Sequence, residues 1–428
     1  MSNSGVLVLI ARWVFPLTSP PIADGAVVIH EGEILAVGPR SEVEAAFSGG
    51  PHWDLGDAAV LPGLVNCHTH LELGGAIPLM KAGGFPAWVV AVVEERRQAS
   101  LAAQAAAAER GVQSLLRSGT TCVGEVSSTG QSLSPLLHAG LRGVVYREVL
   151  GLPPEEAEAR RNAARDDVQR MQGAVRGGRL RVGLSPHSPY GLSEALFGAC
   201  DAMLRESDLP CCIHVAESRD EVEFLATGDG EIRRRLYPAV GCEIPPPRRR
   251  AGSPVEYLAA LGALAWQPLL VHAVHVDEAD SGRLVRSGAR VAHCPRSNSL
   301  LSEGVAPVSL FLRQGIPVGL GTDSLASAPS LDLWDEMRAA LDVHAGRLTP
   351  ERVLGMATVG GAQALGLGDS VGSLAPGKRA DLIAVAAEAV EASDPIGSLI
   401  AGTRGEDVLL SLIEGEVRYN RSEGVPCT

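Results

Sequence analysis

Short apolar runs bounded by turn residues open the chain. Residues 6–10, 25–29 and 34–37 are apolar and are separated by turn signals such as Glu31-Gly32-Glu33, a texture that predicts β-hairpins over 6–60 rather than helices. The texture returns near the other end, where 380–385 follows Pro376-Gly377-Lys378 and 408–413 precedes Glu414-Gly415. Both ends are therefore expected to pack together as one small β-sandwich, with residues 1–59 as its first part and 371–428 as its second. Between them, over 60–370, apolar runs at 65–70, 120–123, 143–146, 181–184, 211–215, 269–272, 290–293 and 317–320 alternate with helical stretches. Eight such runs predict an α/β fold, a (β/α)8 TIM-like barrel. The Ala-rich, charged segments 101–118 and 154–175 read as outer helices whose charges form a solvated face. Ile244-Pro245-Pro246-Pro247-Arg248-Arg249-Arg250 cannot be helical and reads as a solvated loop, with no role assigned to 244–254.

Composition narrows the class. With 428 residues, 46% hydrophobic and 20% charged, the chain can bury a large core, which excludes global disorder, collagen and coiled coil. The formal net charge of −13 argues against a nucleic-acid or anionic-membrane partner. No stretch approaches the ~18 apolar residues of a bilayer span. The first apolar run is cut by Arg12 and lacks a basic leader and cleavage site, so no signal peptide is expected. The 8 cysteines (Cys67, Cys122, Cys200, Cys211, Cys212, Cys242, Cys294 and Cys427) form no CxxC pair and read mostly as reduced, buried thiols, so the cytoplasm is the expected compartment.

Candidate chemistry lies at the ends of the predicted strands. Side chains there converge on one mouth of a barrel even when they are distant in sequence. His68 and His70, in Asn66-Cys67-His68-Thr69-His70, are two apart on a strand and face one side, so both can bind one cation. His214 and Asp323 end two other runs and complete a shell suited to Zn²⁺ or Fe²⁺ with a position left for water. Glu217, three residues past His214, is placed to carry a proton from water to a leaving group. His272 could orient or deprotonate that water, whereas His275 falls on the opposite side and reads as structural. His187, in Ser185-Pro186-His187-Ser188-Pro189-Tyr190, is a candidate substrate contact.

The segments Leu61-Pro62-Gly63-Leu64-Val65-Asn66-Cys67-His68-Thr69-His70, His214-Val215-Ala216-Glu217, His272-Ala273-Val274-His275, His293-Cys294-Pro295-Arg296-Ser297-Asn298 and Gly319-Leu320-Gly321-Thr322-Asp323-Ser324 resemble the amidohydrolase superfamily. The branch they resemble holds S-adenosylhomocysteine and methylthioadenosine deaminases, guanine deaminase and the s-triazine chlorohydrolases. Gly372-Ser373-Leu374-Ala375-Pro376-Gly377-Lys378-Arg379-Ala380-Asp381-Leu382 resembles that branch's return into its β domain, and the match spans nearly the whole chain. The resemblance implies that His68, His70, His214 and Asp323 hold one divalent ion, Zn first and Fe or Mn as alternatives. It further implies that Glu217 protonates a ring nitrogen of an aminated heterocycle, His272 positions the hydrolytic water and Asp323 accepts its proton. No lysine ends the fourth run, where Val182-Gly183-Leu184-Ser185 stands, so a mononuclear site and deamination are expected.

The substrate is less directly written. Leu71-Glu72-Leu73 after His70, and then Phe85-Pro86-Ala87-Trp88 with Arg96-Arg97 downstream, resemble the aminodeoxyfutalosine deaminases of menaquinone biosynthesis. By that resemblance Glu72, Trp88, Arg96 and Arg97 join His187 and Ser324 as candidate substrate contacts, an arginine fork pairing with the benzoate carboxylate. Deamination of S-adenosylhomocysteine, methylthioadenosine or adenosine is the alternative, with an s-triazine-type dechlorination and a non-catalytic barrel scaffold further off. The expected partners are the aminated heterocycle and water, with a homo-oligomer left open.

Overall fold

The computed structural model of the chain describes residues 5–74, 84–242 and 249–421. Eight parallel strands form the centre: Leu64–Thr69, Thr120–Ser127, Arg142–Val149, Leu180–Pro186, Cys212–Val215, Leu269–His272, Arg290–His293 and Val318–Leu320. The first four pair in sequence order and so do the last four. Parallel bridges Leu184↔Cys211 and Thr69↔Asp323 join the two ladders, so the sheet closes into the expected barrel. Positions along these strands are buried almost throughout, because helices cover the outside and side chains fill the inside; this is why the runs read as continuously apolar.

Closure demands small residues where strands crowd. A Cβ on Gly319 would sit 2.2 Å from Cys67 Sγ, so strands one and eight can meet only with glycine there. Beside it, the Asn66 amide donates to Thr322 Oγ1 at 2.8 Å while its oxygen accepts from the backbone N–H of Thr322 and of His68. The predicted outer helices appear as Leu101–Arg117, capped by the Ser100 hydroxyl on Ala103 N, and Ala157–Val175 after a 3-10 turn at Pro154–Glu156. No helix among the described residues is long and apolar enough to cross a membrane.

Both chain ends meet in one eight-stranded sheet. Glu416–Asn420, Val408–Ile413, Leu382–Ala386, Ala58–Pro62, Val6–Val14, Ile22–His30 and Glu33–Pro39 lie in that order, and His52–Asp54 pairs with Val6–Val14. Two short helices interrupt the strand texture, Arg40–Ala46 and Pro395–Gly402. Arg142, at the start of the third barrel strand, clamps sheet to barrel through Asp381 (2.7 Å) and Glu414 (2.8 Å). Of the Pro- and Arg-rich stretch, 244–248 lies outside the described residues, as does Cys427; Arg249 pairs with Glu194. Six other cysteines are buried and unbridged, and Cys242 is half-buried.

Candidate active site

The strand ends deliver their polar side chains to one point. His68 lies on strand one and His70 just past it, His214 on strand five, His272 at the end of strand six, and Asp323 beyond strand eight. His68 and His70 Nε2 stand 3.5 and 3.8 Å from Asp323 Oδ1, and His70 Nε2 is 3.2 Å from His214 Nε2. His272 Nε2 faces Glu217 Oε1 at 3.4 Å. Ala216, His272, Ala273 and Asp323 all take left-handed backbone angles, with φ of 53°, 69°, 48° and 56°. Non-glycine residues reach that region at a cost, and here they gather where strands turn toward the site.

Hydrogen bonds settle which nitrogens point inward. His214 Nδ1 is 3.1 Å from the His187 carbonyl, which can only accept, so that nitrogen carries the hydrogen and Nε2 keeps its lone pair. Nε2 then faces another ring nitrogen at 3.2 Å, a contact that requires a proton or a cation. Both ring nitrogens of His68 are buried without a hydrogen-bond partner among the described residues. Burial, reinforced by the neighbouring rings, lowers His70 to about 3 and holds His214 well below the usual histidine range. Neutral imidazoles with inward lone pairs are donors for a divalent cation rather than for protons. The trio His68, His70 and His214 could hold one ion, their ligand atoms lying within 4.8 Å of one another.

Around this trio stands a proton-handling shell. Burial raises the Glu217 carboxyl well above its ordinary value, and the charges of Asp323, Glu303 and Glu221 add to the effect. His272 is lowered to about 4, mainly by burial; its Nδ1 donates to Asn298 Oδ1 at 2.9 Å, which directs the Nε2 lone pair toward Glu217. Burial opposes ionisation of Asp323, but the facing His68, His272 and His70 hold it well below the carboxylate range. Its second oxygen, Oδ2, accepts from the hydroxyls of Ser297 (2.7 Å) and Ser327 (2.6 Å), leaving Oδ1 toward the histidines.

A cavity of about 500 Å³ opens from this centre. Of the expected contacts, Trp88, Arg96, Arg97, His187 and Ser324 line it, on walls made largely by Leu73, Val89, Val92, Leu152, Tyr190 and Tyr237. Glu72 does not line it. Its buried carboxylate accepts from the Ser127 hydroxyl and from the backbone N–H of Ser128, Thr129, Gln131 and Ser132, so it organises the loop after strand two. His275, half-buried, also lies away from this cavity. Glu148, Arg160 and Asn298 enter the picture only with the structure. Glu148 was within reach of sequence reasoning: it is two residues beyond Tyr146, on the same strand face, but the apolar run read from the sequence ends at Tyr146.

The pattern of the Amidohydrolase family matches residues 59–418. A 5-methylthioadenosine/S-adenosylhomocysteine deaminase of Nitratidesulfovibrio vulgaris is 33% identical over 422 residues, 93% of this chain and 88% of that protein. An aminodeoxyfutalosine deaminase of Deinococcus radiodurans is 34% identical over 356 residues, 80% of this chain and 81% of that one. Among solved structures, an adenosine deaminase from Xanthomonas campestris with bound zinc matches with a TM-score of 0.80 at 26% identity, covering 97% of this chain and 93% of that one.

Proposed function

Because the chain belongs to the amidohydrolase family, metal-dependent hydrolases that act here on carbon–nitrogen bonds other than peptide bonds, we propose that it deaminates a purine-type nucleoside whose 5′ substituent ends in a carboxylate, aminodeoxyfutalosine first. One observation carries the substrate choice. The cavity joins the histidine cluster to an apolar wall and to Arg97, which has no ion pair among the described residues, whereas Arg96 and Arg160 are paired with Glu148 and Glu156; that lining suits an apolar extension with one anionic end. S-adenosylhomocysteine is the second reading, favoured by the similarity to deaminases of that name.

In this reading His68, His70, His214 and Asp323 hold one divalent ion, zinc by the chemistry of its donors. When bound, the ion supplies the Lewis acidity that makes water a nucleophile at neutral pH. Glu217, kept protonated by burial, gives its proton to the ring nitrogen beside the amino-bearing carbon and so makes that carbon electrophilic. His272, fixed by Asn298, presents Nε2 to the attacking water, and Asp323 takes the proton that water loses. As oxygen bonds to carbon, a tetrahedral adduct forms; its collapse breaks the C–N bond, the amine leaves as ammonia with the proton returned by Asp323, and the adduct's hydroxyl proton passes to Glu217 as the carbonyl forms. Net, one water is consumed and one ammonia released.

The test is ammonia release by the zinc-loaded protein offered aminodeoxyfutalosine, S-adenosylhomocysteine, methylthioadenosine, adenosine, guanine and cytosine. Turnover of the first well above the others is expected. A preference for S-adenosylhomocysteine would select the second reading, and silence on every amine with zinc bound would overturn deamination and direct attention to chlorinated triazines.

A further inference from the structure

Glu217 has to bring its carboxyl to one point, and the backbone that carries it is held from both sides. The chain leaves strand five through Ala216 in the left-handed region (φ 53°), a conformation that a non-glycine residue keeps only where its surroundings enforce it. The peptide unit joining Ala216 to Glu217 is pinned at each end. Its carbonyl oxygen accepts from the backbone N–H of Val274 and of His275, both at 2.9 Å, which ties it to the turn that follows His272. Its N–H donates to Glu221 Oε2 at 3.0 Å.

Glu221 is fixed in its turn. It lies fully buried in the first turn of helix Arg219–Thr227, whose cap Ser218 accepts the Glu221 N–H on its hydroxyl at 3.1 Å. A glutamate at this position ordinarily reaches back to the N–H of the cap residue itself, completing a capping box. Here Glu221 reaches one residue further, to Glu217, so its carboxyl serves the approach to the helix rather than the helix alone. Burial raises Glu221 to about 8, which leaves a neutral acid with an oxygen free to accept at neutral pH. Glu221 does not line the cavity, whereas Glu217 does, with Oε1 at 3.4 Å from His272 Nε2. We propose that Glu221 is a positioning residue: by holding the peptide between Ala216 and Glu217 it aims the Glu217 carboxyl, and so acts on turnover rather than on binding of substrate or metal. This rests on the deamination proposed above and adds to it a residue that touches neither substrate nor ion.

Ammonia release from the amine that the wild type turns over fastest, measured for single and double variants of the zinc-loaded protein, tests this. Glu221→Met removes the acceptor at similar length and should lower kcat at least about tenfold with KM and zinc content unchanged, since a small misplacement of a reacting group is costly. Glu221→Gln keeps an oxygen for the Glu217 N–H and should recover most of that loss. In a Glu217→Gln background, Glu221→Met should cost less than about twofold, because a residue that acts through another then has nothing left to aim. Additive losses in that cycle, or a Glu221→Gln protein as slow as Glu221→Met, would overturn the proposal. Glu221→Asp, one methylene shorter, supplies the same comparison if Glu221→Met does not fold. Hydrogen exchange at the Glu217 amide reads the contact without turnover: protection should drop in Glu221→Met and return in Glu221→Gln, and equal protection in all three proteins would equally overturn it. Silence of the wild type on every amine removes the deaminase reading alone, and the exchange comparison still decides whether Glu221 holds Glu217.

Discussion

His214 has one nitrogen to offer a cation, because its Nδ1 hydrogen is committed to the His187 carbonyl. Removing that imidazole leaves His68, His70 and Asp323 as donors, one short of the proposed set of four. His214→Ala should therefore cut bound zinc, read by atomic emission after dialysis, to well under one ion per chain. Glu217 is different in kind. It faces His272 rather than the histidine trio, so Glu217→Gln should leave zinc content unchanged while kcat falls by at least about 10²-fold, since an amide cannot give up a proton. A Glu217→Gln enzyme with near-normal kcat would remove it from the mechanism. That these side chains meet at one point was legible in the sequence, because strand ends of a barrel converge and polar residues there stand out against apolar runs.

At the scale of elements, legibility followed burial. The eight barrel strands announce themselves because both faces are covered, whereas Arg40–Ala46 and Pro395–Gly402 are too short to impose a helical period on their surroundings. Arg160 was hidden for another reason: it reaches the cavity from an outer helix whose placement only the packed fold fixes. Glu72, expected as a substrate contact, does not line the cavity. Its carboxylate acts as the anchor of residues 127–132, the loop that also brings Ser128 to Glu148. Glu72→Ala would take the acceptor from four backbone N–H groups of that loop, of which the one on Ser132 is buried, a hydrogen bond to a charged group being worth about 1.5–3 kcal/mol. Hydrogen exchange at Ser128, Thr129 and Gln131 should then accelerate by at least tenfold, or about 1.4 kcal/mol of local protection. Unchanged exchange would return Glu72 to the list of direct substrate contacts.

The whole molecule is tied together by charge as well as by sheet pairing. Arg142 reaches from the barrel to Asp381 and Glu414 of the end sheet, with only 9% of its side chain exposed. Arg142→Ala strands the buried Asp381 carboxylate, and a loss of about 3–5 kcal/mol in chemical denaturation is expected. Buried ionisable groups elsewhere set the response to pH. His293, facing His344 with their Nε2 atoms 3.2 Å apart, is lowered to about 3, chiefly by burial. A histidine held below its unfolded value near 6.5 binds protons more readily when unfolded, so its contribution is present above 6.5 and lost as pH falls toward 3. Glu221 works in the other direction. Burial raises it to about 8, so the unfolded chain releases its proton first, and its contribution is full below about 4.5 and lost as pH rises through 8. The melting temperature should consequently fall on both sides of a mildly acidic maximum. Glu221 accepts the backbone N–H of Glu217 at 3.0 Å, a bond the oxygen of glutamine can keep. Glu221→Gln should therefore flatten the decline between pH 6 and 8 while leaving the acid side untouched, as thermal melts across that range would read directly. An alkaline limb as steep as that of the wild type would mean that another buried acid, such as Glu336 at about 7, governs it.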